Sequence, residues 1–164
     1  HKIVELYAKW ARMEGEPGVV VVFGSMYGET RKAAEAVAQG VHEAGLPVRV
    51  LDASRVHESF IVRDAWRFRG LVLGGPTYDT GIFPPIEQAL RLLERKRLKN
   101  RVVGLFGSYG WKGGAVQKLA EKIGELGWEL IGTVEFPGAP NLSDLEKLRE
   151  LGRRVAETVI QKSR

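Results

Sequence analysis

Hydrophobic residues recur along this chain in two alternating rhythms. Val19-Val20-Val21-Val22-Phe23 is wholly apolar, the pattern of a strand buried on both faces. Residues 28–44 then place Ala34, Val37, Val41 and Ala44 on one helical stripe. The same change of rhythm repeats. Pro47–Leu51 reads as a second strand and 55–66 as a short helix; Gly70–Leu73 reads as a third strand. Pro84 and Pro85 open a helix to about Arg95, because proline is tolerated in a first turn. Val102–Phe106 is a fourth strand, 113–126 a helix, and Trp128–Phe136 a fifth strand. Ser143 and Glu146 have capping-box spacing for a last helix, which buries Leu145, Leu148, Leu151, Val155 and Val159. Before all this, Ile3, Leu6, Tyr7, Trp10 and Met13 share one helical face, and residues 14–18 read as a linker.

Strands alternating with helices predict an α/β domain over 19–164, preceded by a helix and linker over 1–18. The sheet is parallel, five-stranded and doubly wound, with helices on both faces. The second strand alternates at Arg49 and the fifth carries Glu129, Thr133 and Glu135. Those two are the expected edges, which selects the strand order 2-1-3-4-5.

Composition narrows the chemistry. The 164 residues contain no cysteine and only three scattered histidines, His1, His42 and His57. Thiolate catalysis, iron–sulfur clusters and a histidine-rich metal centre are excluded, and no metal ligand or catalytic residue stands out. No apolar run reaches the ~18 residues of a membrane span. No charged-then-apolar signal segment opens the chain. The expected setting is cytoplasmic, without a membrane partner. The net charge of +5 is concentrated: Arg91, Arg95, Lys96, Arg97, Lys99 and Arg101 face only Glu94. This is the pattern of a solvated helix end, with a docking patch for an acidic partner as the alternative. A nucleic-acid footprint would need a reading element or stacking aromatics as well.

Glycine changes the picture most. It fills 20 of 164 positions, well above the usual ~7%, and it gathers after the first, third and fourth strands. Ligands bind there in this architecture. The first loop, Gly24-Ser25-Met26-Tyr27-Gly28-Glu29-Thr30, runs directly into a helix. Helix N-termini favour anions, and Ser25 and Thr30 add hydroxyls. The loop lacks a Walker lysine and the three-glycine dinucleotide fingerprint, so Asp52 is expected to cap its strand end rather than bind a ribose. One phosphate held by neutral donors suits this loop; an ordinary connection is the plain alternative. The second loop, Gly74 to Pro84, contains Pro76, Thr77, Tyr78, Asp79, Thr80 and Gly81. It can lay backbone groups along the edge of a flat ring, or simply be a rigid turn. The third, Gly107-Ser108-Tyr109-Gly110-Trp111-Lys112-Gly113-Gly114, sets two aromatics among four glycines. Trp111 there either stacks on a planar ligand or plugs the core. All three loops must meet at one edge of the sheet. A phosphate pocket flanked by two aromatic loops fits flavin mononucleotide (FMN).

These three loops resemble the FMN-binding loops of flavodoxin-like domains. More closely, they resemble the flavodoxin domain of flavodiiron proteins (A-type flavoproteins). Ser25–Thr30 matches that family's phosphate loop, Pro76–Pro84 its second loop, and Ser108–Trp111 with Gly113-Gly114 its third. Tyr7-Ala8-Lys9-Trp10 is similar to the segment joining that family's two domains. The family usually has Asn where Asp79 stands and another small polar residue where Thr80 stands; a carboxylate near a reduced flavin can lower its affinity or shift its potential.

The resemblance implies FMN-dependent electron transfer from a donor such as a rubredoxin or a reductase. The electrons would pass to a diiron centre that reduces oxygen or nitric oxide. That centre sits in a metallo-β-lactamase-like domain missing from this chain, so the domain is expected on the same polypeptide or a separate one. The His1 start favours excision from a longer polypeptide. A homodimer is compatible with the family. On the same fold the alternative is a stand-alone NAD(P)H- or quinone-dependent flavin oxidoreductase. A phosphoacceptor receiver would need clustered acids after the first strand, where Phe23-Gly24-Ser25 stands instead.

Overall fold

The computed structural model describes residues 15–25, 28–78, 81–110 and 113–164. Five strands alternate with five helices: β1 (Glu16–Phe23), α1 (Glu29–Glu43), β2 (Val48–Asp52), α2 (Glu58–Arg67), β3 (Phe68–Pro76), α3 (Pro84–Arg95), β4 (Val102–Tyr109), α4 (Ala115–Leu126), β5 (Glu129–Pro137) and α5 (Leu142–Lys162). The strands pair in parallel in the order β2-β1-β3-β4-β5. The expected edges, β2 and β5, are the edges. The opening helix expected over 1–13 lies outside the described residues.

The period of two along each strand sorts the core into two layers. Val20, Val22, Leu71, Leu73, Val103 and Leu105 face α2, α3 and α4. Val19, Val21, Phe23, Val72, Val102 and Phe106 face α1 and α5. Each such side chain contributes about 1.5–3 kcal/mol on full burial, which is why the middle stretches of the central strands, Val19–Phe23, Leu71–Leu73 and Val102–Phe106, carry no polar side chain. On the second face α1 and α5 approach backbone to backbone. A Cβ on Gly40 would overlap the Arg149 carbonyl, and one on Gly152 the Val37 carbonyl. Glu43 accepts from Arg149 Nε at 2.7 Å where the two helices meet.

Several boundaries differ from the sequence pattern: the helix expected over 55–66 spans Glu58–Arg67, and the one expected over 113–126 starts at Ala115. β1 starts at Glu16, so Glu16–Gly18 are strand and not linker: Glu16 pairs with Phe68 and accepts from Arg67 Nε at 3.0 Å. β3 and β4 run further than their apolar cores, through Pro76 and Tyr109, with Gly74 opposite Phe106 and Gly75 opposite Gly107. Hydropathy misses these pairs because glycine has no side chain to score. The last helix is capped by Asn141 and Asp144, not by Ser143 and Glu146. Asn141 Oδ1 accepts from Asp144 N at 2.8 Å, while Asp144 Oδ2 accepts from Asn141 N at 3.0 Å. Asn-x-x-Asp supplies the same reciprocal chemistry two residues earlier.

The basic cluster also divides. Arg95, Lys96, Arg97 and Lys99 are exposed, whereas Arg101 is only 1% exposed. Its guanidinium donates to the carbonyls of Ala65, Trp66, Lys99 and Asn100 at 2.8–3.3 Å. Burial, with the neighbouring Arg69 guanidinium adding to it, pushes its pKa down to about 10. Arg101 is therefore an internal cap rather than part of a solvated helix end.

Candidate functional site

The parallel register aligns Phe23, Asp52, Gly74 and Phe106 in one row across the sheet. The three glycine-rich connections therefore emerge along a single edge, at its carboxyl end. Gly24 N–H bonds to Gly74 O at 2.9 Å, and Thr77 N–H to Ser108 O at 2.8 Å, tying each loop base to the next.

In the first loop, Ser25 Oγ accepts from Gly28 N at 2.7 Å. Gly28 has φ 84° and caps α1, and the space where its Cβ would lie is empty. Only glycine adopts this left-handed corner without strain. Thr30 is 2% exposed, and its hydroxyl donates to Gly24 O. Its proton thus stitches the loop, so the hydroxyl does not stand as a free donor as the sequence suggests. The Ser25 hydroxyl keeps its own proton, and the first-turn N–H groups of α1 have no acceptor within the helix.

In the second loop, Tyr78 and Gly81 exchange two backbone bonds of 2.9 and 2.8 Å. Tyr78 is 45% exposed and meets Phe83 edge-on, with ring centroids 6.3 Å apart. Phe83 caps α3, and its ring covers Gly24 of the first loop. Pro84 and Pro85 carry no N–H, so α3 presents far fewer donors here than α1 does.

In the third loop Ser108 is buried, while Tyr109 is half-buried and accepts from Gly138 N at 2.8 Å. Gly110 is exposed with empty space at its Cβ position. Gly113 lies against the Glu135 carboxylate, and Gly114 caps α4. Met26, Tyr27, Asp79, Thr80 and Trp111 lie outside the described residues.

The described candidates thus lie in loops along one edge. Asp52 stands apart: it accepts from Ser54 N at 2.9 Å and pairs with Arg31 at 3.4 Å and Arg55 at 3.6 Å, the strand-end role expected of it. The sequence reading placed Phe83 in the second loop, with inward packing as the alternative, but it missed Gly138 and the reach of Glu135. Phe83 bridges two loops, Gly138 anchors Tyr109, and Glu135 reaches the third loop from β5. Glu135 was legible only as an edge-strand marker, because its neighbour is far away in sequence. Among the described residues no group of His, Cys, Asp or Glu side chains is arranged to hold a metal ion, and no helix is long and apolar enough to cross a membrane.

A parallel sheet of this order, with glycine-rich loops at its carboxyl edge, is a flavodoxin-like fold. The Flavodoxin family model matches residues 21–152, and the chain belongs to that family. Membership carries flavin as the class of cofactor. The chain is 32% identical over 157 residues to the anaerobic nitric oxide reductase flavorubredoxin of Escherichia coli O1:K1 / APEC, a match covering 94% of this chain and 33% of that protein. It superposes on rubredoxin oxygen:oxidoreductase from Desulfovibrio gigas with a TM-score of 0.92 and 27% identity, covering 98% of this chain and 40% of that one. A flavodoxin from the domain Archaea matches with a TM-score of 0.77 and 26% identity, over 87% of this chain and 99% of that one. The chain spans about a third of the length of the curated relatives it matches, and corresponds to their flavodoxin-like part.

Proposed function

We propose that this domain binds one FMN in the three loops and passes electrons through it, as the flavodoxin-like part of a flavodiiron oxygen or nitric oxide reductase. The observation that carries the reading is the convergence of Ser25 with Gly28–Thr30, Pro76–Tyr78 with Gly81, and Ser108–Gly110 with Gly113-Gly114 on one sheet edge. The donor set fits the cofactor. Gly28 and Gly110 leave open space beside backbone, as a close-lying ligand requires. The Ser25 hydroxyl and the first-turn amides of α1 suit a phosphate, for which the helix dipole is also favourable.

Each loop has its own task. Ser25, Met26, Tyr27, Gly28, Glu29 and Thr30 hold the phosphate. Pro76, Thr77, Tyr78, Asp79, Thr80 and Gly81 lie along the ring edge, and Tyr78 offers an exposed aromatic face. Ser108, Tyr109, Gly110, Gly113 and Gly114 form the opposite wall, with Trp111 stacking on the ring. FMN supplies one- and two-electron redox chemistry when bound; the chain's residues bind, orient and exclude water. The partners that follow are a diiron metallo-β-lactamase-like domain and a donor such as a rubredoxin or a reductase, in a cytoplasmic setting, with a homodimer allowed.

Fluorescence titration with FMN and riboflavin tests the reading. FMN should bind at least about tenfold more tightly, a difference of ~1.4 kcal/mol. Equal affinities would remove the phosphate site, and absence of binding to both would remove the function.

A further inference from the structure

The end of the sheet away from the loops carries a second organised feature. Val102 pairs with Gly70 at the start of β3, so the turn between α3 and β4 lies at the amino edge of the sheet. Arg95, Lys96, Arg97 and Lys99 are all exposed there. Among the described residues none of the four has an ion-pair or side-chain hydrogen-bond partner, while the other described arginines, except Arg164, are engaged.

The backbone of this turn is organised against local preference. Arg97 N bonds to Glu94 O at 2.9 Å and Leu98 N to Leu93 O at 3.3 Å, the two bonds of a Schellman cap. The left-handed position of that cap normally holds glycine. Here Arg97 occupies it at φ 56°, and Asn100 is also left-handed at φ 60°. A cation at a helix C-terminus satisfies the dipole, yet Lys96 and Arg95 already do that. The dipole therefore does not explain an arginine where glycine is favoured.

The turn is also held from beneath. Leu98 is 2% exposed, and its carbonyl accepts from Trp128 Nε1 at 2.8 Å. Arg101 takes the carbonyls of Lys99 and Asn100. The cationic side chains thus project from a fixed backbone. No aromatic residue lies in 91–101 to stack on bases. The turn's apolar residue, Leu98, is buried and cannot enter a bilayer. Carboxylates on a protein surface match what remains.

We propose that Arg95–Lys99 form a preorganised docking knuckle for a carboxylate-rich segment of a partner protein, at the end of the sheet opposite the three loops. The inference does not rest on the flavin reading. The probe is a fluorescein-labelled oligoglutamate peptide, compared with a DNA duplex and with phosphatidylserine vesicles. Arg95→Gln/Arg97→Gln/Lys99→Gln should weaken peptide binding by about tenfold or more, from three solvent-exposed contacts. The control Lys32→Gln/Lys118→Gln/Lys147→Gln removes the same net charge from exposed sites elsewhere, and should change binding less than about twofold. An equal loss in the control, or tighter binding to the duplex or the vesicles, overturns the proposal. Arg97→Gly gives an independent readout. It should raise the Tm while weakening peptide binding; a lowered Tm would mean that Arg97 serves the fold, and would also overturn the proposal.

Discussion

Arg101→Met sets two opposed energies against each other at one buried site. The guanidinium of Arg101 donates to Ala65 O at 2.9 Å, Trp66 O at 2.8 Å and Lys99 O at 2.8 Å, with a longer bond of 3.3 Å to Asn100 O. Ala65 and Trp66 belong to the last turn of α2, whose carbonyls have no helical partner. A hydrogen bond to a charged group contributes about 1.5–3 kcal/mol, so the three short bonds sum to roughly 5–9 kcal/mol. Against this stands desolvation. Burial lowers the Arg101 pKa to about 10, well below the usual guanidinium range, which corresponds to about 3 kcal/mol. The hydrogen bonds win. Methionine restores apolar packing but leaves the carbonyls without their donor, so Arg101→Met should destabilise by about 2–4 kcal/mol. Urea unfolding followed by tryptophan fluorescence would show this as a lowered midpoint at unchanged slope. The pH dependence has a definite sign. A base whose folded pKa is depressed loses protons first in the folded state, so this group's contribution to stability rises only above about pH 10. The deficit of the variant should therefore be flat across neutral pH. If Arg101→Met proves neutral to within ~0.5 kcal/mol, or stabilising, desolvation dominates and the capping argument is wrong.

Substitutions at four further positions address other parts of the molecule. Gly152→Ala should lower stability by about 1–3 kcal/mol, since its methyl overlaps the Val37 carbonyl. The exposed helical Gly124, with empty space at its Cβ position, should instead gain ~0.5–1 kcal/mol on Gly124→Ala; thermal melts of both check the opposite signs. Thr30→Val removes the donor to Gly24 O and should cost about 1–2 kcal/mol while weakening FMN, whereas Thr30→Ser should retain both; urea curves and flavin titration read the two effects. Trp111→Ala should weaken FMN about tenfold, from a stacking contribution of ~1–3 kcal/mol, with folding kept by circular dichroism; intact FMN affinity with a sharply lowered Tm would make Trp111 a core plug instead.

The strand order was legible because burial writes itself into side chains. β1, with four valines and a phenylalanine, must be central, and Arg49 and Glu129 mark edges. The strand ends were less legible because they are set by glycine pairs. Gly74 accommodates the Phe106 ring and Gly107 lies against Val116, contacts between residues remote in sequence. Arg101 was hidden for the opposite reason. Among five other cations it looks solvated, and only the tertiary approach of the α2 C-terminus makes it internal. The last helix shows how near-equivalent caps mislead: Ser143–Glu146 and Asn141–Asp144 share a spacing, and the backbone chose the pair two residues upstream. At the site, chain order alone placed the loops. The Thr30 hydroxyl donates to Gly24 O, a bond the sequence does not show, because sequence cannot tell whether a donor is free or already bonded.

The glycines of the three loops fall into two sets with different causes. Gly24, Gly74 and Gly107 are small because Phe83, Phe106 and Val116 occupy the space above them. Among the described residues nothing lies where a Cβ on Gly28 or Gly110 would sit, although Gly28 also needs its left-handed φ. Packing accounts for the first set, so loop glycine content by itself is weak evidence for a ligand. Among the described residues Gly110 has no crowding neighbour, and its φ is not positive; glycine costs conformational entropy wherever it is unneeded. An open glycine without a backbone requirement, beside Tyr109 on the same edge as the free α1 N-terminus, is what a closely approaching flat ligand demands. Gly110 therefore adds to the convergence of the three loops in a way that their glycine content alone does not.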